Sequence, residues 1–457
     1  MNEMDERPSL SSVDELCVFL MNRIGICVSA SEAATTQELV NKVIETWFTP
    51  RLSSSSSPRS SLSSSSPTDS ALKNNSTLPD LRYSTNGPDD LIKFFTLWIT
   101  SPTLELQLKP LHRPFKVLKH WENLSNKYGF IKENFVHLYG SSSASSTSVN
   151  LDPIVSFQRN IFTAKWEEMK TTDPDVLQLL YEEAKVNVLD GRYPVDSFEK
   201  LAAIQAAIEL GPFNPKLHSS KFLKQMIGQL FGSVSHHRSS STSSVKWSTS
   251  LTSPFTQSSS SLENKIIHYY RKLGNVTSKT QLYRNYLQMC WPLPYYGSAY
   301  FHGLIERSSK NFVSLISNRL IQVWIAINPI GVHIIDEKHS RLIISLEFKR
   351  FKWELALTSN SQSKRETQVP SIFFYFWSRV DYKTNLIQVI SPQAYLMNTL
   401  LNAFHEKQSG HLSRRQIYSN DNDFNYANFD QQPTSIQTSN QKTSQTCNYK
   451  GNRKYRS

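Results

Sequence analysis

Apolar residues recur along this chain in three rhythms, and each rhythm holds its own stretch. Between about residues 13 and 135 short runs dominate. "ELCVFL" and "GICVS" read as the two strands of a hairpin. "TTQELVNKVIETW" opens at a threonine cap and sets Leu39, Val40, Val43, Ile44 and Trp47 at helical spacing. "FFTLWIT" and "LELQLKP" follow. In the second, Leu104, Leu106 and Leu108 alternate with Glu105, Gln107 and Lys109, which predicts a strand buried on one face. Two strands, a helix and two more strands in so short a span predict a ubiquitin-like roll.

From about 154 to 290 the period is helical. "DPDVLQLLYEEAKVNVLDG" carries Asp173 as cap, Pro174 in the first turn and Gly191 as stop. Val176, Leu177, Leu180, Tyr181, Ala184 and Val188 form its apolar stripe, with Gln178, Glu182 and Lys185 opposite. "LAAIQAAIELGPF", residues 201–213, differs. Leu201, Ile204 and Ile208 share one arc, and Ala203, Ala206 and Ala207 cover much of the rest, so other helices can approach from several sides. Gly211 and Pro212 end it. This stretch predicts an inner helix, core rather than site. "SSKFLKQMIGQLF", "LENKIIHYYRKLG" and "SKTQLYRNYLQMCW" complete an all-helical unit.

From about 293 to 405 short strands return: "SAYFHGLIE", "LIQVWIAINPIGVHIID", "RLIISLEF", "FKWELAL", "SIFFYFW" and "NLIQVIS", with "NPIG" as turn chemistry. Ser391-Pro392 then starts a helix through His405, with Leu396, Met397, Leu400, Leu401 and Phe404 on one side. Strands closed by a terminal helix predict a sandwich of the pleckstrin-homology or phosphotyrosine-binding (PH/PTB) kind. The expected class is α+β. Serine-rich tracts at 51–77, 141–149 and 233–261, and the polar tail 406–457, hold too little apolar surface to offset the entropy of ordering and are expected to be disordered.

A net charge of +12 over 457 residues adds one constraint: either solubility alone, or an acidic partner such as an anionic membrane face, an acidic peptide or nucleic acid. Cys17, Cys27, Cys290 and Cys447 have no metal-ligand spacing; they fit a reducing compartment, each as a small buried hydrophobe or a tail thiol. The polar, acidic start is no secretory signal, and the longest apolar run, "LIQVWIAI" at 320–327, is too short to span a bilayer. The expectation is a soluble intracellular protein. No phosphate-cradling glycine loop, H-E-x-x-H, G-x-S-x-G or C-x-x-C occurs, and His236-His237 lacks a third ligand. No enzyme, cofactor or metal is expected.

Three stretches carry a resemblance. "LLYEEAKVNVLDGRYP", "LAAIQAAIELGPF" and "PYYGSAYF" together resemble the FERM domain family. The resemblance implies three lobes: a ubiquitin-like first lobe at 13–135, an acyl-CoA-binding-protein-like four-helix lobe at 154–290, and a PH/PTB-like third lobe at 293–405. It implies a non-enzymatic adaptor that takes peptides beside the fifth strand of the third lobe, in the groove left by the C-terminal helix. That strand is "FKWELAL", where Phe351, Trp353, Leu355 and Leu357 point one way and Lys352, Glu354 and Ala356 the other. The candidate groove set is Trp353, Leu355, Lys352 and Glu354 with Tyr395, Asn398, Thr399 and Asn402 of the helix. The competing reading is a filled barrel and a solvated helix face.

Lys109, Arg113, Lys116 and Lys119 are the candidates for anionic lipid, each adding on the order of 1 kcal/mol near such a surface, against a plain solvated loop. As partners the resemblance implies cytosolic tails of membrane proteins, in particular iRhom-type rhomboid pseudoproteases of a cell-surface sheddase complex, and a role restraining Wnt co-receptor signalling. The implied place is the cytoplasm at the inner face of the plasma membrane. A membrane-cytoskeleton linker of the ezrin or band 4.1 type is the alternative, disfavoured because the tail has no long charged helix. Nucleic acid is disfavoured for want of stacking aromatics interleaved with Lys and Arg.

Overall fold

The computed structural model describes residues 13–53, 87–131, 152–231, 262–274, 278–306, 320–356, 369–378 and 382–408. The expectations of disorder in the serine tracts and tail lie outside them, except at the edges. There the first helix runs to Ser53 and the last to Gln408, each past its expected end.

The first sheet assembles β1 (Val13–Leu20), β2 (Gly25–Ser31), β3 (Phe95–Thr100), β4 (Glu105–Gln107) and β5 (Ile154–Arg159) in the order β2-β1-β5-β3-β4. Helix α1 (Thr36–Ser53) packs against this sheet. The short helices α2 (Gly87–Phe94), α3 (Pro114–Lys119) and α4 (Trp121–Tyr128) fill in around it. The position of β5 corrects the sequence reading, which opened the helical lobe at 154. β5 is the middle strand of the first sheet, parallel to β1 through Val18↔Val155 and antiparallel to β3. Val155, Ser156 and Phe157 are all buried, so β5 is covered on both faces there and no alternation marks the strand.

Alternation is clear in the β1–β2 hairpin. Leu16, Val18 and Leu20 face inward with Ile26, Val28 and Ala30. Cys17 and Cys27 face outward, directly opposite one another, and are joined as a disulfide. This overturns the expectation that they are buried thiols. Their strands place them in the solvent-facing row, and their pairing is a product of register. Cys290 is buried, as expected, and burial pushes its thiol up to about 12.

The second lobe contains α5 (Lys165–Glu168), α6 (Pro174–Leu189), α7 (Phe198–Leu210), α8 (Ser220–Phe231), α9 (Leu262–Lys272) and α10 (Lys279–Cys290). Asp173 caps α6 by accepting from the backbone N–H groups of Asp175 and Val176, both at 2.9 Å. In α7 every residue from Leu201 to Ile208 is buried, and α9 and α10 pack on it. Small side chains all round let both partners close in, as the alanine pattern implied. Gly211 ends α7 at φ +85°, and its carbonyl accepts from the Tyr270 hydroxyl at 2.5 Å.

The third lobe is one antiparallel sheet of seven strands: β6 (Ala299–Glu306), β7 (Leu320–Asn328), β8 (Gly331–Asp336), β9 (Arg341–Glu347), β10 (Phe351–Ala356), β11 (Ser371–Ser378) and β12 (Lys383–Ile390). Their order is β10-β11-β12-β6-β7-β8-β9. β9 and β10 stand at opposite ends of that order, yet only the single 3-10 turn Phe348–Arg350 joins them. The sheet must therefore curl until its ends nearly meet. Helix α11 (Ala394–Gln408) packs against β7, β10 and β11 and closes the core with Leu396, Met397, Leu401 and Phe404.

Candidate functional site

The lobes meet around two arginines. Arg159, at the end of β5, donates to Glu183 of α6 at 3.0 Å, to Glu168 of α5, and to the Tyr296 hydroxyl at 2.6 Å. Burial works against its charge, but Glu168 and Glu183 outweigh that and hold its pKa well above the ordinary range. Arg192 makes a two-point pair with Glu105 of β4, at 2.7 and 3.2 Å. Its guanidinium lies 4.3 Å from the Trp324 ring centre and 5.0 Å from that of Tyr300. Beside it Gly191 holds φ +73°, and an added Cβ would come within 2.9 Å of Ser340 Oγ. The Gly297 N–H donates to the Tyr193 hydroxyl at 2.9 Å, and Tyr295 donates to the Pro194 carbonyl. "GRYP" and "PYYGSAYF" thus clasp one another.

Strong pKa displacement often marks chemistry. Here Tyr193, Tyr296 and Tyr300 are raised first of all by burial. The void among Arg159, Glu183, Arg192 and Tyr300 is about 20 Å³, room for a water molecule and far below a substrate pocket. The two arginines and their carboxylates act as a clamp between lobes. Among the described residues no group of three or more metal-ligating side chains comes together.

The candidate docking surface is the edge of β10 beside α11. β10 pairs with β11, and among the described residues no strand pairs with its other edge, whose backbone donors and acceptors are open to one. Trp353 points toward the helix: its indole Nε1 donates to Asn398 Oδ1 at 3.1 Å, and its ring stands edge-on to His405 at 5.6 Å. Phe348 and Phe351 pack against the same indole. Phe351 is buried in the lobe, while Trp353 and Leu355 are half-buried. Tyr395, Asn398, Asn402 and His405 follow one another three or four residues apart and form one stripe of α11. Tyr395 and Asn402 are exposed on it, and Thr399 bonds back to the Tyr395 carbonyl at 3.0 Å.

The structure separates two members of the expected set. Lys352 and Glu354 lie on the outer face of β10, where Glu354 accepts from the Tyr375 hydroxyl at 3.2 Å. Strand alternation puts them away from the helix, so Trp353 and Leu355, and not these charges, lie on the α11 side of β10. His405 and Phe348 also contact the Trp353 ring and were missed. For His405 the seven-residue step from Asn398 was the available signal.

The basic set also takes a definite form. Arg113, the residue just before α3, and Lys116 and Lys119 on it are exposed at three-residue steps, while Pro114 and Val117 are buried. The turn before α3 is anchored: the His112 carbonyl accepts from the Thr36 N–H at 2.7 Å and the Pro110 carbonyl from the Gln37 N–H at 3.0 Å. This is an ordered helix and turn, not a solvated loop. Residues 109–121 contain no Asp or Glu, and exposed Leu111 sits between Lys109 and Arg113.

Comparison with known proteins bears on what such an assembly is. A profile of the FERM central domain matches residues 167–301, and one described as KRIT1/FRMD8, FERM domain C-lobe, matches 321–400. The chain is 30% identical over 323 residues to FERM domain-containing protein 8 of Xenopus tropicalis, covering 69% of this chain and 66% of that protein. The chain belongs to the FERM domain family. The Homo sapiens protein of the same name is 30% identical over 325 residues, covering 69% of this chain and 64% of its own length. The chain thus spans about two thirds of these FERM relatives. Among solved structures, the MyTH4-FERM MF2 domain of Dictyostelium Discoideum Myosin VII (mutant 1) aligns with TM-score 0.47 at 13% identity, covering 88% of this chain and 61% of that one. FERM domains are adaptor and scaffold modules, and among the described residues no helix is long and apolar enough to cross a membrane.

Proposed function

We propose that this FERM chain is a non-enzymatic adaptor that takes the cytosolic tail of a membrane protein as an added strand along β10. The observation that carries the reading is the β10 edge, without a strand partner among the described residues, lying beside the Tyr395–His405 stripe, with Trp353 between them. Main-chain bonds to the edge would supply affinity, and alternate side chains of the tail would enter beside Trp353 and Leu355. An aromatic next to an open edge is the residue type that anchors interfaces. The partner we propose, on the resemblance to FERM domain-containing protein 8, is the tail of an iRhom-type rhomboid pseudoprotease, held so as to stabilise a sheddase complex at the inner face of the plasma membrane. A restraint on Wnt co-receptor signalling belongs to the same reading. Lys109, Arg113, Lys116 and Lys119 would set the adaptor against anionic lipid while the groove holds the tail.

The test is capture of an iRhom cytosolic tail by the full chain and by its Trp353→Ala variant. Capture by the wild type, lost by at least tenfold in a variant with unchanged circular dichroism, is expected. No capture, or capture indifferent to Trp353, would sink the reading. Co-sedimentation with actin filaments would put the membrane-cytoskeleton linker in its place.

A further inference from the structure

We propose that Cys17 and Cys27 form a reversible redox couple on the outer face of the first lobe, oxidised by small hydroperoxides and reduced by glutathione-class thiols. The inference stands apart from the docking groove and rests on where the two residues sit. They are direct partners in the β1–β2 ladder, with Cα atoms 4.2 Å apart. Directly opposed residues in an antiparallel pair can present their side chains to each other without backbone movement. Both side chains lie in the exposed row of the hairpin, so small reagents reach the sulfurs while the lobe stays folded.

The fold does not depend on the bond. Leu16, Val18, Leu20, Ile26, Val28 and Ala30 bury the other face of the same two strands. The ladder runs from Val13↔Ser31 to Phe19↔Gly25, and the turn closes with Leu20 N–H to the Ile24 carbonyl at 2.8 Å and Arg23 N–H to the Leu20 carbonyl at 2.9 Å. A crosslink in such a hairpin adds constraint to a pairing already specified by core and ladder. Competition from the third described cysteine is small, since Cys290 is buried with its thiol pushed up to about 12 and carries little thiolate.

The chemistry balances without further partners. One cysteine thiol attacks the O–O bond of a hydroperoxide, giving a sulfenic acid and an alcohol (water, for hydrogen peroxide). The opposed thiol attacks the sulfenic sulfur, the S–S bond forms and a water leaves. In the reverse direction a small thiolate attacks the disulfide to give a mixed disulfide. A second small thiol then displaces the cysteine, leaving two protein thiols and one small disulfide. The structural consequence falls on β2, which is an end strand of the first sheet. Oxidation ties this edge to β1; reduction leaves it held by the ladder and its inward side chains, freer to open.

The test uses the full chain, equilibrated without denaturant across a series of reduced-to-oxidised glutathione ratios. It is then trapped with N-ethylmaleimide and read by peptide mass. Cys17 and Cys27 are expected to pass together from bonded to alkylated as the ratio becomes reducing. Circular dichroism should stay unchanged while amide exchange across 25–31 rises several-fold. Hydrogen peroxide should restore the bond and the slow exchange. The C17S/C27S double variant should show the fast exchange at every ratio. A bond that resists reduction until denaturant is added, loss of fold on reduction, or peroxide oxidation that yields no 17–27 bond would each overturn the proposal.

Discussion

His333 and Trp353 show how far one side chain's role depends on what surrounds it. His333 is fully buried on β8, its Nδ1 2.8 Å from Ser345 Oγ, and burial pushes its pKa down to about 4. The unfolded chain takes up this proton near pH 6.5, while the folded protein refuses it until about pH 4. Its contribution is therefore neutral above pH 6.5 and costs stability as pH falls from there to about 4, up to about 3 kcal/mol. Melting temperature measured across that window should fall more steeply in the wild type than in His333→Asn; equal slopes would remove His333 from the account. Neither the burial of His333 nor the Trp353–Asn398 bond could be read from "GVHIID" or "FKWELAL", because both depend on elements distant in sequence. What could be read was which way Phe351, Trp353 and Leu355 point, because strand alternation is local.

At the scale of elements, α7 and α3 make opposite demands. Ala206 in α7 is fully buried, with α9 and α10 against the same helix. Ala206→Leu should force those helices apart and cost about 1–3 kcal/mol, read as a lowered denaturant midpoint. An unchanged midpoint would mean that α7 is less tightly enclosed than its burial indicates. This helix was legible because alanine on nearly every side has few other uses. α3 was legible as a basic segment but not as a helix, since Pro110 and Pro114 suggest a loop until the first-lobe contacts of their turn are known. On the lipid reading, R113E/K116E/K119E should weaken binding to phosphatidylserine vesicles on the order of 100-fold, and added salt should weaken the wild type in the same direction. Binding that ignores both charge and salt would leave α3 as a solvated face.

At the scale of the whole molecule, the clamp at Arg159 decides whether three lobes behave as one body. The described residues form one compact unit, and Arg159 touches α5, α6 and the entry to the third lobe at once. Arg159→Met leaves Glu168 and Glu183 buried together without their counter-charge, which should cost about 3–5 kcal/mol. Adding Glu168→Gln should recover part of that loss in a double-mutant cycle read by chemical denaturation. Strictly additive effects would show that the two side chains do not act as a pair. The motifs by which the chain resembles FERM domains owe part of their composition to this junction. "GRYP" needs glycine where Ser340 crowds the backbone and arginine where Glu105, Tyr300 and Trp324 converge.

The amino-acid sequence by itself determined the three rhythms of apolar residues, the caps and stops of the helices, and the motifs of the family. Each of these is a short-range property, set within a few residues by backbone geometry and the water each side chain meets. Tertiary structure alone decided that Ile154–Arg159 enters the first sheet, since its partner Val18 lies more than a hundred residues earlier. It also turned two scattered cysteines into an exposed pair and sent Lys352 and Glu354 to the side of β10 opposite Trp353 and α11. Those outcomes depend on which distant strands and helices come to lie side by side, and local pattern carries no record of that choice.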